Sequence, residues 1–338
     1  MKQLLVLSVF VYVSLFLTSC AQELPPQTEF VIGTVCTVNL FDKGTNAVYS
    51  EVFSRLRELE AILSANRDDT NIAQINAAAG LHPVKAAPET LDVLTEALLF
   101  SVKTEGLFDP SVGPLVKSWN IGTEYASIPS TETITSALEL VDFKKIVIDR
   151  NQNTVFMQKQ GMKLDLGAIA KGYAADEIIR IITKHHIKKA IIDLGGNIYA
   201  FGEKAAGKKW NIGIRDPETN QGSSILTIPV LNKSVVTSGV YERFFEQEGK
   251  RYHHILDTRT GFPVENELLS VTIVTGKSIE ADALSTTTFI LGTERGMNLV
   301  EEMDDVEAIF INRNREIRCS KGLKGSLNLI DKRYVLIP

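Results

Sequence analysis

The second half of the chain is a succession of β-rich apolar runs separated by few helical stretches. "KKAIIDLGG", "KWNIGIRDP", "SILTIPVL", "LLSVTIVTG" and "VEAIFINRNREIRC" each bring Ile, Val or Leu together over a strand's length. "KKIVIDRNQNTVFM" reads as a hairpin turning at Asn151 to Asn153. Helical patterns intervene over Ala168 to His185 and Glu280 to Leu291. Ahead of these runs, "SEVFSRLRELEAILS" places Val52, Leu56, Leu59 and Leu63 on one face and predicts a helix over Ser50 to Ser64. "PETLDVLTEALLFSVKTEG" predicts another, with Pro88 near its start and Gly106 beyond its end. Early helices followed by mixed strands and helices predict an α+β fold with a largely antiparallel sheet. No low-complexity linker or internal repeat follows Glu29, so residues 30–338 are expected to form one domain.

The start of the chain has a different character. Lys2 precedes an apolar run from Leu4 to Leu17, shorter than the roughly 20 residues of a membrane-spanning helix. It ends in Leu17-Thr18-Ser19-Cys20, which resembles a bacterial lipobox. The expectation is a signal peptide over 1–19, a lipidated Cys20 and a polar tether over 20–29. The protein would then be anchored to a bacterial membrane on the exported, periplasmic side. An ordinary secretory signal with an incidental Cys20 is the alternative. Removal of 1–19 takes away Lys2 and no acid, leaving 35 basic against 41 acidic residues. That excess argues against nucleic acid as a partner. Export permits a disulfide between Cys36 and Cys319, although two separate thiols are an equal reading.

Many signatures of phosphate and hydrolytic chemistry are missing. There is no P-loop, no G-x-G-x-x-G after a strand, no C-x-x-C, no H-E-x-x-H and no G-x-S-x-G. Five small polar stretches remain. In "GLFDPSVGPLVKSWNIG", Phe108 and Trp119 either wall a ligand or fill core under a loop. In "KLDLGAIAKGYAAD", Asp165 can accept from a ring N–H or a ribose hydroxyl, and Lys171 can reach a phosphate at a helix start. The glycines of "IIDLGGNIYAFG" allow a tight turn or a close backbone approach. "VVTSGVYERFFEQEGKRYHHILDTRTGFP" offers the hydroxyls of Thr237 and Ser238, and His254 three residues before Asp257. In "SIEADALSTTTFILG", Asp282 and Thr286 share a helix face and are hard-oxygen ligands suited to Mg²⁺. Asp282 flanking a helix start is the competing reading.

Taken in order, "FDPSVGPL", "LDLGAIAKGYAAD", "DLGGNIYAFG", "TSGVYERF", "HHILDTRTGFPV" and "ADALSTTTFILG" resemble the ApbE family of FAD:protein FMN transferases. The resemblance runs from about Ile32 to Gly296. It implies a T-fold-related α+β architecture of mixed, largely antiparallel sheets and packed helices in a single bilobal catalytic domain. It also implies cleavage of the FAD pyrophosphate, transfer of FMN to a Thr or Ser of an exported acceptor flavoprotein, and release of AMP. Carried over by position, Asp282, Thr286 and the Ala168 carbonyl would hold Mg²⁺. Ile32, Asn66, Leu107, Phe108, Asp109, Asp165, Lys171 and Ile255 would contact FAD, with Thr237, Ser238 and Glu242 as weaker candidates. His254 would move the proton, Asp257 being its competitor, and Lys171 would assist catalysis.

Two positions depart from the family pattern. Ile32-Gly33-Thr34 stands where "MGT" is usual, and "LSAN", Leu63 to Asn66, where Met-Ser-x-Tyr is usual. Asn66 removes a ring that could stack on the flavin, which would favour water as acceptor and hydrolysis of FAD to FMN and AMP. The alternatives to a transferase are therefore an FAD pyrophosphatase and, behind it, a non-catalytic flavin-binding lipoprotein.

Overall fold

The computed structural model describes residues 24–219 and 222–337. The predicted signal peptide, Cys20 and the first residues of the tether lie outside them. The chain begins with a hairpin of β1 (Gln27–Val31) and β2 (Thr34–Leu40). The first strand thus starts inside the segment expected to be tether. Its two-residue turn has Ile32 at φ 50° and Gly33 at φ 71°, the left-handed pair that a tight antiparallel hairpin requires. A β-branched Ile is strained there.

Helices follow. In α1 (Asn46–Leu63) and α2 (Asn71–Ala77), Thr45 and Thr70 cap the first turn through their hydroxyls, accepting from Val48 N at 3.3 Å and Ala73 N at 3.0 Å. After β3 (Val84–Lys85), α3 (Pro88–Lys103) starts on proline as the sequence predicts. Next come α4 (Gly113–Trp119), α5 (Thr131–Leu138) and the predicted hairpin, β4 (Ile146–Asp149) with β5 (Thr154–Met157). Then follow α6 (Ala170–Lys184), β6 (Ala190–Leu194), β7 (Asn197–Phe201), β8 (Trp210–Arg215), β9 (Ser224–Val230) and β10 (Lys233–Gly239). A hairpin of β11 (Phe244–Gln247) and β12 (Lys250–His253) leads to β13 (Leu268–Thr275) and α7 (Ser278–Glu301).

The helix α7 breaks at Gly292, whose φ of 75° and ψ of 177° suit only glycine. That break is where the sequence predicts the helix to end. The run "VEAIFINRNREIRC" is two strands, β14 (Glu307–Asn312) and β15 (Glu316–Cys319), because Asn312 Oδ1 accepts from the Asn314 and Glu316 amides and closes a turn. Short strands β16 (Asn328–Leu329) and β17 (Val335–Leu336) complete the described chain.

A nine-stranded sheet runs β1-β2-β6-β7-β10-β13-β14-β15-β17, antiparallel at every pairing except β15 with β17. Helices α1, α6 and α7 cover one face, where Val38, Ile192, Val236 and Val271 join the main core. The sheet β16-β9-β8 covers the other, burying Val235, Val274, Ile309 and Ile311 against Trp210, Ile212 and Ile228. Both faces of β13 are covered, which is why all eight of its residues are buried. A third, smaller cluster gathers Leu115, Trp119, Ile134 and Leu256, with Phe245 and Tyr252 of the β11–β12 hairpin packed on it. Cys36 is buried, Cys319 is partly buried, and both are free thiols.

Candidate active site

The five polar stretches converge, stitched together by hydrogen bonds between segments far apart in sequence. The Gly113 amide donates to the Lys163 carbonyl at 3.2 Å and the Asp165 amide to the Pro110 carbonyl at 2.8 Å. These join "FDPSVG" to "KLDLG". Thr258 Oγ1 donates to the Gly106 carbonyl at 2.8 Å and ties the loop after β12 to the same place. Ser238 Oγ, near the end of β10, bonds Ser285 Oγ of α7 at 2.8 Å and lies 3.5 Å from Thr286 Oγ1. The Gly172 amide in α6 donates to Asp282 Oδ2 at 2.7 Å.

That last bond answers what the turn before α6 is for. In a regular helix the Gly172 amide would bond the Ala168 carbonyl. Here it goes to Asp282, and the Ala168 carbonyl accepts no hydrogen bond from the described residues. Asp282 is 3% exposed, with Lys171 Nζ 3.7 Å from its Oδ1. Asp176, farther along α6, forms no salt bridge among the described residues. Its two oxygens accept from the Ser278 and Ile279 amides at 2.9 and 3.0 Å and cap α7. Burial pushes its carboxyl up to about 6. Among the described residues no three His, Cys, Asp or Glu side chains gather to hold an ion. A metal would therefore be taken by a mixed oxygen set, and a free carbonyl, a buried carboxylate and a hydroxyl suit Mg²⁺, which keeps waters and substrate phosphates as its other ligands.

Around this centre Asp165, Lys171 and His254 are half-buried, and Glu242 and Arg243 are exposed. Desolvation raises the Asp165 carboxyl above the usual range, opposed by the Gly167 amide, Arg243 and Lys171. Desolvation likewise pushes Glu242 up to about 7, with Lys171 and Arg243 pulling it down. The His254 imidazole is held down at about 3, first by desolvation and then by Arg243. It is therefore neutral at ordinary pH. Its Nδ1 lies 3.3 Å from the Arg243 carbonyl, which can only accept, so Nδ1 carries the proton and Nε2 is left as the base. Asp257 is engaged differently. Burial raises its carboxyl, but Arg259 more than compensates, through bonds to Oδ1 at 2.9 Å and Oδ2 at 2.6 Å and through its own amide. Of the two proton-transfer candidates, His254 has the free basic atom.

The other candidate residues have varied surroundings. Phe108 and Trp119 form no aromatic wall: Phe108 packs near Phe100, and Trp119 is fully buried with its indole N–H on the Gly261 carbonyl at 2.8 Å. Leu107 and Ile255 are buried in the main core too. Asp109 spends Oδ1 on the Ser111 amide and hydroxyl and Oδ2 on the Phe143 amide, so it shapes its loop. Thr237 bonds Thr272 Oγ1 across β13, whereas its neighbour Ser238 faces α7; adjacent residues of a strand point to opposite faces. Ile32 and Thr34 sit beside the β6–β7 turn, where a Cβ on Gly195 would lie 2.0 Å from Thr34 Oγ1. Asn66 is exposed in the loop from α1 to α2, and its side chain makes no hydrogen bond among the described residues; the α1 cap is Ser64. Asn76, in the helix that follows, bonds both the amide and the carbonyl of Leu164 beside Asp165. Arg243 carries no sequence signal of its own, although it is a cation beside three of the chosen residues.

The family model described as "ApbE family" matches residues 32–310. The chain belongs to the ApbE family. It is 42% identical over 327 residues to an FAD:protein FMN transferase of Treponema pallidum, covering 92% of this chain and 90% of the relative. An FAD:protein FMN transferase of Klebsiella pneumoniae is 38% identical over 291 residues, with coverage of 86% and 90%. Among solved structures, the ApbE protein of Thermotoga maritima superposes with a TM-score of 0.82 at 29% identity, covering 89% of this chain and 98% of its own. The flavin transferase ApbE of Vibrio cholerae gives 0.79 at 26%, with coverage of 89% and 98%.

Proposed function

We propose that this ApbE-family protein is an FAD:protein FMN transferase that cleaves the FAD pyrophosphate and attaches FMN to a Thr or Ser hydroxyl of an exported flavoprotein. The observation that carries the reading is the approach of α6 to α7, where the Gly172 amide bonds Asp282, one turn before Thr286, and Lys171 Nζ lies 3.7 Å from the same carboxylate. A Mg²⁺ ion held by Asp282, Thr286 and Ala168 would offset charge on the pyrophosphate as the leaving oxygen departs. Lys171 and Arg243 bind the same phosphates from the protein side. His254 Nε2 accepts the proton of the acceptor hydroxyl. The hydroxyl oxygen then bonds to the FMN phosphorus, the P–O bond to AMP breaks, and AMP leaves with the electron pair. The chain's main task is to hold hydroxyl and leaving group in line. Incubating the full-length protein with FAD, Mg²⁺ and an acceptor flavoprotein should yield AMP and a covalent FMN adduct, with any AMP in excess of adduct measuring the hydrolysed share. AMP without adduct would make the protein an FAD pyrophosphatase.

Asn66 favours some hydrolysis beside transfer. Exposed between α1 and α2, it offers no aromatic ring to stack on the flavin. Asn66→Tyr is expected to add ~1 kcal/mol of stacking and so tighten FAD about fivefold. AMP release into water should fall while transfer is largely kept. Equal FAD affinity and equal AMP release in variant and parent would show that residue 66 never meets the flavin.

The anchor is the second half of the proposal, and the lipobox-like "LTSC" supports it. Cys20→Ala should abolish incorporation of labelled fatty acid and leave the protein unprocessed or free of the membrane fraction. Labelling that survives in Cys20→Ala would remove the anchor.

A further inference from the structure

Beneath Asp282 lies a buried run of polar side chains that the proposed reaction leaves unused. Ser234 on β10, Ser278 at the start of α7 and Asn197 at the start of β7 are each at most 1% exposed. Ser234 Oγ donates to Ser278 Oγ at 2.8 Å, Ser278 Oγ to Asn197 Oδ1 at 2.8 Å, and Asn197 Nδ2 to Asp282 Oδ1 at 3.2 Å. The direction is fixed at both ends. A carboxylate can only accept, so Asn197 must turn its NH₂ toward Asp282 and its oxygen toward the serine hydroxyls. With Oδ2 held by the Gly172 amide, both oxygens of Asp282 have a donor on the protein side. Lys171 Nζ stands 3.7 Å from Oδ1.

A helix packed on a sheet is more simply closed with apolar side chains, and a polar network there is tolerated only when every member is satisfied. This one is satisfied and ends on the single carboxylate of the candidate metal centre. We propose that Asn197 is a positioning residue which, steadied by Ser278 and Ser234, sets the orientation of the Asp282 carboxylate for the divalent cation. The proposal rests on the reading of Asp282 as a metal ligand.

The test uses the full-length protein and Mn²⁺ as probe, followed by electron paramagnetic resonance, beside the Mg²⁺ dependence of AMP release. Partners that orient a metal's ligands are worth about 10–100-fold in affinity, and Asn197→Ala should weaken Mn²⁺ by that order. Half-maximal AMP release should move to higher Mg²⁺ by the same factor, with the rate recovered in excess Mg²⁺. FAD affinity in EDTA, read from flavin fluorescence, should stay unchanged. A purely structural role would lower the melting temperature without a loss that Mg²⁺ repairs, and unaltered Mn²⁺ affinity in folded Asn197→Ala overturns the proposal. Should that variant not fold, Ser278→Ala removes only the hydroxyl that steadies Asn197. A smaller loss of Mn²⁺ affinity is then expected, and none would overturn the proposal equally. Asp282→Ala separates this from the parent reading. If it binds Mn²⁺ as the wild type does, the metal assignment itself is wrong; if it does not, while Asn197→Ala does, only the positioning role is lost.

Discussion

Asp282→Ala is expected to give a folded protein that releases AMP from FAD on the order of a thousandfold more slowly in Mg²⁺. Charge stabilisation by a bound cation is worth several kcal/mol, and each 1.36 kcal/mol is tenfold in rate, so losing its only charged protein ligand should cost about that much. Stability should also drop, because the substitution strands two buried donors, the Gly172 amide and Asn197 Nδ2. At about 1–3 kcal/mol for each unsatisfied group, that is a substantial share of a typical 5–15 kcal/mol, though not all of it. Circular dichroism should therefore still report the native fold, with a lowered melting temperature. Lys171 loses its carboxylate partner but remains, so FAD binding in EDTA should persist. Near-normal AMP release from the folded variant would reduce Asp282 to an acceptor for two buried amides.

What the sequence reveals of this site and what it hides have distinct physical causes. Placements that depend on spacing along one element are legible. Asp282 and Thr286 lie four apart on α7, and Lys171 lies near the start of α6. The helices α1 and α3 are likewise legible, because a 3.6-residue apolar period needs no knowledge of the partner surface. Roles fixed by register are not. Thr237 and Ser238 are equally polar, and only the pairing of β10 with β13 decides which faces α7. Phe108 and Trp119 stay undecided between wall and core because nothing local says what lies beneath a loop. The helix α4 sits in a stretch too short to show an apolar period, and Pro114 at its start is the one signal it offers. Arg243 and Asn197 lie inside the quoted stretches "TSGVYERF" and "DLGGNIYAFG", but nothing local singles them out. One belongs to the site through a loop after β10, the other through a hydrogen bond spanning 85 residues of sequence.

Gly172→Ala is expected to disturb the site from a position that carries no side chain. An added Cβ would lie 2.3 Å from the Ser278 carbonyl oxygen and 2.6 Å from Ile279 Cα. Both are backbone atoms of the first turn of α7, so neither can swing aside as a side-chain tip would. The two helices must part, and Asp176, which caps α7 from α6, opposes that movement. Overpacking of this kind costs about 1–3 kcal/mol, which scanning calorimetry should register as a lower melting temperature. The chemical effect should be larger than the stability loss implies. Parting the helices moves Asp282 away from the Gly172 amide and from Lys171 together, and misplacement by about 1 Å can cost on the order of a hundredfold in rate. AMP release should fall by that order at saturating FAD and Mg²⁺, whereas FAD affinity in EDTA should be largely kept, since Asp165 and Arg243 stand outside the contact. A Gly172→Ala variant as stable and as active as the parent would mean that the approach of α6 to α7 is not what sets the carboxylate in place, and the positioning argument for the whole centre would fail with it.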